Sequence, residues 1–145
     1  GCAQLDKLDE IVEARRRNFN VLYKGLEGTP GLILPRPSEN SKPSWFGFLI
    51  SVKENAGFTR NQLSEYLESK KIQTRNLFAG NLIKHPAFDE MRASGRGYRV
   101  VGDMQWTDFV MNNTFWIGVY PGMTHEMLQH MITSIKEFCY KHVAK

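Results

Sequence analysis

The chain has 145 residues, the size of one ordinary domain, with 41% hydrophobic and 23% charged residues, so disorder and a fibrous repeat are excluded. No apolar run approaches the ~20 residues a bilayer-crossing helix needs. A net charge of +4 invites a nucleic-acid reading, but 15 acidic residues are interspersed with 19 basic ones.

The densest basic run, Arg15-Arg16-Arg17, would spread over about 300° of a helix and form no patch. Two cysteines, Cys2 and Cys139, lie at opposite ends and can build neither a disulfide scaffold nor a four-thiolate metal site. We therefore expect one cytoplasmic domain. A helical pattern begins almost at Gly1-Cys2, without an initiator methionine, so we also expect a piece of a longer protein.

The first element is a long helix. Leu5, Leu8, Val12, Phe19, Leu22 and Leu26 recur at three- and four-residue steps, with Ile11 widening the stripe and Arg15 interrupting it. Gly25, Gly28 and Pro30 end it. Leu32 to Leu34 reads as a short strand, and the prolines between Pro35 and Ser44 make a loop. Trp45 to Val52 alternates as a strand, with Phe46, Phe48, Ile50 and Val52 on one face.

Thr59 and Gln62 have capping-box spacing and open a helix to about Lys70, with Leu63, Tyr66 and Leu67 inward. Ile72 to Phe78 is the next predicted strand. From Ala79 to Gly102 the pattern dissolves into a long connection. Asp103 or Thr107 caps a short helix through Met111 and Asn112. Thr114 to Val119, apolar on both faces, reads as a buried central strand. Thr124 caps a last helix whose Met127, Leu128, Met131, Ile132, Ile135, Phe138 and Cys139 point inward. The pattern is that of a two-layer α/β sandwich, one unit over residues 1–145.

The chemistry-bearing residues are sparse. His85, His125, His130 and His142 include no i,i+3 or i,i+4 pair, so no metal site is expected. Cys139 falls on an inward stripe, where a thiol behaves as a small hydrophobe, and no nucleophile elbow is present. No catalytic residue is expected. Gly95-Arg96-Gly97 lacks the spacing of a phosphate loop. Trp45-Phe46-Gly47-Phe48 shares a glycine–aromatic alternation with RNA-binding strands but lacks their basic residue; Phe48 suits the core, and Phe46 suits core or ligand equally. Arg75 offers a planar fork to carboxylate or phosphate oxygens, and the Asn81 amide, following Phe78-Ala79-Gly80 where backbone approaches a ligand closely, suits hydroxyl recognition. A structural ion pair and a turn role fit these two residues as well.

Several stretches carry a resemblance. They are Gly1 to Glu10 with Arg15 to Phe19, Pro43-Ser44-Trp45-Phe46-Gly47-Phe48, Thr74 to Leu82, Tyr98 to Gly102, Thr107-Asp108, and Asn113 to Gly122. Together, in collinear order over nearly the whole chain, they resemble the C-terminal domain of DegT/DnrJ-type sugar aminotransferases. The similarity is to the lipopolysaccharide branch, the 3-dehydrases of CDP-4-keto-6-deoxy-D-glucose.

The resemblance implies the small C-terminal domain of the aspartate-aminotransferase (PLP-dependent transferase) fold, in a homodimer. It implies pyridoxal or pyridoxamine phosphate and a [2Fe-2S] cluster in the intact enzyme, a flavin/iron-sulfur reductase as partner, and a CDP-sugar losing its C3 hydroxyl for O-antigen. By motif match, Phe46 would line the active site, with Arg75, Phe78 and Asn81 near the sugar. The cofactor segment, the catalytic histidine and the cluster cysteines would lie upstream, so Cys2 and Cys139 are not cluster ligands. Phe109 stands where relatives often have an arginine, and the loop from Pro86 to Gly97 is longer than in relatives. Two alternatives stay open: a lysine-bearing PLP-dependent sugar aminotransferase of the same family, and an RNA-binding module. Separation from a larger domain should leave an apolar patch on the first helix or the sheet edge.

Overall fold

Strand β4 (Thr114–Gly118) is the centre of the molecule because both of its edges are paired. In the computed structural model, which describes residues 1–143, it runs antiparallel to β2 (Gly47–Val52) on one side and β3 (Thr74–Asn76) on the other. A two-residue strand β1 (Leu32–Ile33) adds to the outer edge of β2, giving the order β1-β2-β4-β3. All pairings are antiparallel.

The alternation along these strands sorts their side chains. Phe48, Ile50 and Val52 of β2 and Phe115 and Ile117 of β4 are sealed on one face. Three helices close over that face: α2 (Leu8–Leu26), α3 (Arg60–Ser69) and α6 (His125–His142). They contribute Phe19, Leu22 and Leu26, then Leu63 and Leu67, then Leu128, Ile132, Ile135, Phe138 and Cys139 to one continuous core. The two-layer sandwich follows directly from these stripes.

Local chemistry fixes the helix ends. The Thr59 hydroxyl accepts from the Gln62 amide while Gln62 Oε1 accepts from the Thr59 amide, the reciprocal cap read from the sequence. Thr124 caps α6 through the Met127 amide. Gly25 lets α2 and α6 approach, since a Cβ there would sit 2.4 Å from Ile132 Cδ1.

Five expectations need correction. The opening helix is broken: a one-turn α1 (Cys2–Leu5) precedes α2, and Lys7 leaves helical geometry between them. Leu5 and Leu8 are therefore exposed, as is Met127 on α6. The strand expected from Ile72 to Phe78 shrinks to Thr74–Asn76, because Phe78 takes a left-handed backbone at φ 44° and cannot continue the ladder. The stretch 79–102 is not without helix in its first part. It holds single-turn 3-10 helices at Leu82–Lys84 and Pro86–Phe88, then α4 (Asp89–Ser94), pinned by Arg92 to the carbonyls of Ile83 and His85. Helix α5 (Gln105–Asn113) starts without a side-chain cap of the expected kind; the Asp103 carboxylate instead accepts from the Gln105 amide.

Among the described residues no helix is long and apolar enough to cross a membrane. Cys139 is completely buried, and burial pushes its thiol up to about 12, so it stays protonated and unreactive. At pH 8 iodoacetamide should alkylate the exposed Cys2 and spare Cys139 until denaturant is added. Peptide mass mapping checks this; modification of Cys139 in the folded protein would contradict the core described above.

Candidate functional site

The face of the sheet turned away from the three core helices holds the chemistry. Register places Leu49, Trp116 and Arg75 side by side across β2, β4 and β3 on that face. The next positions are Gly47 opposite Gly118, and Ser51 opposite Thr114, whose hydroxyls share a 2.7 Å hydrogen bond.

Phe46 does not continue the alternation of β2. Its ring is 56% exposed and meets the Trp116 indole edge-on, with centroids 5.3 Å apart. Gly47 makes this possible: a Cβ there would lie 2.8 Å from the indole, so the tryptophan covers the bare backbone. Phe46 thus stands outside the core, with an accessible ring.

Arg75 is exposed, and among the described residues its guanidinium makes no side-chain hydrogen bond or ion pair. It lines a cavity of about 500 Å³ with Trp116, Gly118, Tyr120, Lys71 and His130. The Glu68 carboxylate anchors the start of β3 by accepting from the Thr74 amide and hydroxyl, which holds it below the usual carboxylate range.

Phe78 is 76% exposed and left-handed, and it follows Arg75 and Asn76 directly out of the sheet. Asn81 behaves differently. It is only 2% exposed; its Nδ2 donates to Asp108 Oδ1 at 2.8 Å, and its Oδ1 accepts from the Ile83 amide at 3.2 Å. Asp108 Oδ2 in turn takes the Lys84 ammonium at 2.7 Å.

The four residues singled out in the sequence therefore do not share one pocket. Phe46 and Arg75 flank Trp116, Phe78 is exposed two residues past the end of β3, and Asn81 is buried. A larger cavity of about 740 Å³ lies at α5, lined by Trp106, Asp108, Phe109, Asn112 and Lys53, and includes none of the four. Phe109 gives that cavity an apolar wall. Sequence reasoning missed Trp116 as a surface group because the apolar run of β4 reads as buried on both faces. It also missed the Asp108–Lys84 pair, 24 residues apart.

The Lys84 ammonium and the Asn81 amide hold the Asp108 carboxyl below its ordinary value. The native state thus gains stability from this group above about pH 4, where the unfolded carboxyl is ionised, and loses it as pH falls through the lower folded value. Glu68 and Glu126 act with the same sign. Thermal melts from pH 5 down to 2 should show Asp108→Asn losing less stability than the parent chain; an equal loss would contradict the pairing.

The arrangement offers an aromatic surface and the exposed Arg75 guanidinium, whose charge also favours the Glu68 carboxylate, but among the described residues no nucleophile–base pair. Among the described residues no group of three or more His, Cys, Asp or Glu side chains is placed to hold a metal ion. The basic run gives no phosphate track, since Arg16 is taken by Glu13 and by the carbonyls of Lys42 and Pro43.

The chain is similar to several known proteins along nearly its whole length. The chain is 47% identical over 139 residues to dTDP-4-dehydro-2,6-dideoxy-D-glucose 3-dehydratase of Saccharopolyspora spinosa, covering 96% of this chain and 29% of that protein. It is 48% identical over 139 residues to the lipopolysaccharide biosynthesis protein RfbH of Salmonella typhimurium, covering 95% and 31%. The chain thus spans about a third of the length of these relatives. A crystal structure of a GDP-4-keto-6-deoxymannose-3-dehydratase variant with bound GDP-perosamine superposes with a TM-score of 0.83 at 25% identity, covering 94% of this chain and 34% of that one. The same enzyme with a trapped PLP-glutamate geminal diamine gives 0.82 at 25% identity, with the same coverage. The crystal structure of S. venezuelae DesV in complex with a ketimine intermediate, at 19% identity and a TM-score of 0.78, shares the fold alone. The pattern of the DegT/DnrJ/EryC1/StrS aminotransferase family matches residues 1–136, and the chain belongs to that family.

Proposed function

We propose that this chain is the C-terminal domain of a pyridoxamine-phosphate-dependent nucleotide-sugar 3-dehydratase, and that its open sheet face closes one wall of the active site. The observation that carries the reading is 47% identity, over 96% of the chain, to a protein named as a sugar 3-dehydratase. The exposed ring of Phe46, the ring of Phe78 and the free fork of Arg75 supply what a sugar with anionic or hydroxyl groups requires: flat apolar surface and directed donors.

The donor set shows what the chain can and cannot hold. Cys2 and the sealed Cys139 cannot provide four ligands, so a [2Fe-2S] cluster would take its cysteines outside these residues. The residues of the open face suit a wall against a bound cofactor rather than a cradle for its phosphate. Bound pyridoxamine phosphate supplies an electron sink that lets a hydroxyl depart from the carbon beside the former ketone. Within that division of labour, Arg75 orients the substrate, Phe46 and Trp116 exclude water from one side, and Phe78 limits the sugar's movement. The intact enzyme would act as a cytoplasmic homodimer on CDP-4-keto-6-deoxy-D-glucose, with a flavin/iron-sulfur reductase supplying electrons.

The test is product analysis with the full-length protein, pyridoxamine phosphate and the CDP-, dTDP- and GDP-linked 4-keto-6-deoxy sugars. Loss of the C3 oxygen, fastest with the CDP sugar, is expected. Formation of a 4-amino sugar from glutamate instead would reassign the chain to the aminotransferases of the same family.

A further inference from the structure

The loop between β3 and α4 carries an unusual combination of features. Phe78 and Gly80 both take left-handed backbone, at φ 44° and 65°, although Phe78 has a large side chain. Gly80 lies directly on Met111 of α5, where a Cβ would approach Met111 Cγ to 2.4 Å. The Asn81 amide donates toward Met111 Sδ at 3.3 Å. The loop is also closed on itself: the His85 ring bonds the Ala79 carbonyl, and the Lys84 amide donates to the Asn81 carbonyl at 3.0 Å.

Asn81 is the hinge of this arrangement. Both ends of its side-chain amide are engaged inside the chain, by Asp108 and by the Ile83 amide, and almost none of its surface remains for a ligand. Asp108 grips the loop twice, at Asn81 through one oxygen and at Lys84 through the other. A carboxylate that receives donors at both oxygens from one loop fixes the orientation of that loop on its helix.

We propose that Asp108 is a positioning residue, which acts through Asn81 and Lys84 to lock residues 78–84 onto α5 and so hold the Phe78 ring exposed beyond the end of β3. Asn81 then shapes the site from behind and does not touch the sugar. The part of this proposal that concerns substrate rests on the reading of the open face as an active-site wall; the locking of the loop does not.

Two readouts on the full-length protein separate those parts. The first is amide hydrogen exchange. In Asp108→Ala, exchange should rise at residues 79–84 and stay unchanged in β2 and β4; unchanged exchange in the loop overturns the proposal whether or not the enzyme turns over. The second is steady-state kinetics with the nucleotide sugar. Asp108→Ala should raise KM about tenfold and leave kcat within about twofold, as expected for a lost charge-assisted bond that shapes binding. Asn81→Ala should match it, and the double variant should be no worse than either, because both break one clasp. Asp108→Asn, which keeps an acceptor for Asn81, should restore most of the KM.

Losses that multiply in the double variant would overturn the proposal, since they would mean that Asn81 meets the sugar independently. If Asp108→Ala fails to fold, Lys84→Met opens one side of the clasp, and the same rise in loop exchange is required. Should the wild-type protein turn over no nucleotide sugar, the functional reading fails while the exchange result still decides the clasp.

Discussion

Replacing Phe48 with alanine should destabilise the domain by about 3–5 kcal/mol, the usual cost of emptying a sealed aromatic site. Phe48 is fully buried on β2 and packs against Phe19 at a centroid distance of 4.9 Å, and Phe19 stacks on Trp45 at 4.1 Å. The site cannot collapse easily, because β4 holds β2 along its whole length and α2 is fixed by α6 through Gly25. For a domain of this size the loss corresponds to a melting temperature lower by roughly 10–15 °C. Phe46, two residues earlier, is the built-in contrast. Its ring is accessible, so Phe46→Ala should change stability by less than about 1 kcal/mol. A melt in which the two variants fall equally would contradict the assignment of one ring to the core and the other to the surface.

Gly80→Val should be the most damaging change outside the core. It meets two separate penalties: a β-branched residue at φ 65°, and a Cβ 2.4 Å from Met111 Cγ. Left-handed backbone costs about 1–2 kcal/mol for a residue with a Cβ, and forced overpacking about 1–3 kcal/mol. Gly95 separates the two, since it has the same φ of 65° with nothing near its missing Cβ. Gly95→Val should therefore cost only the backbone part. Adding Met111→Ala to Gly80→Val should recover much of the packing part, measured by denaturant unfolding. If Gly80 and Gly95 respond alike, the loop does not rest on α5 as described.

What the sequence discloses and what it hides follow the range of the forces involved. β2, α3 and α6 are legible because their apolar residues repeat at the strand or helix period, and because Thr59 and Thr124 cap within three residues of themselves. The core face of the sheet is legible for the same reason. The break between α1 and α2 is not, since the apolar stripe runs through Leu5 and Leu8 as if the helix were continuous.

The short helices between Leu82 and Ser94 are tied together by Arg92 gripping backbone carbonyls, which leaves no periodic trace. The candidate site divides likewise. Arg75 and Phe78 draw attention by type and by their neighbours. The burial of Asn81 depends on Asp108, 27 residues away, and only the folded chain reveals that the amide is spoken for. Phe46 escapes the strand alternation because Gly47 admits the Trp116 indole, a contact across β2 and β4.

On the proposed reading, these 145 residues shape and close a reaction site whose reacting groups lie elsewhere. The direct measurement compares the chain alone with the full-length protein, each given pyridoxamine phosphate and the CDP-linked 4-keto-6-deoxy sugar. We expect C3 deoxygenation by the full-length protein and no turnover by the chain alone. Product formed by the chain alone would contradict the claim.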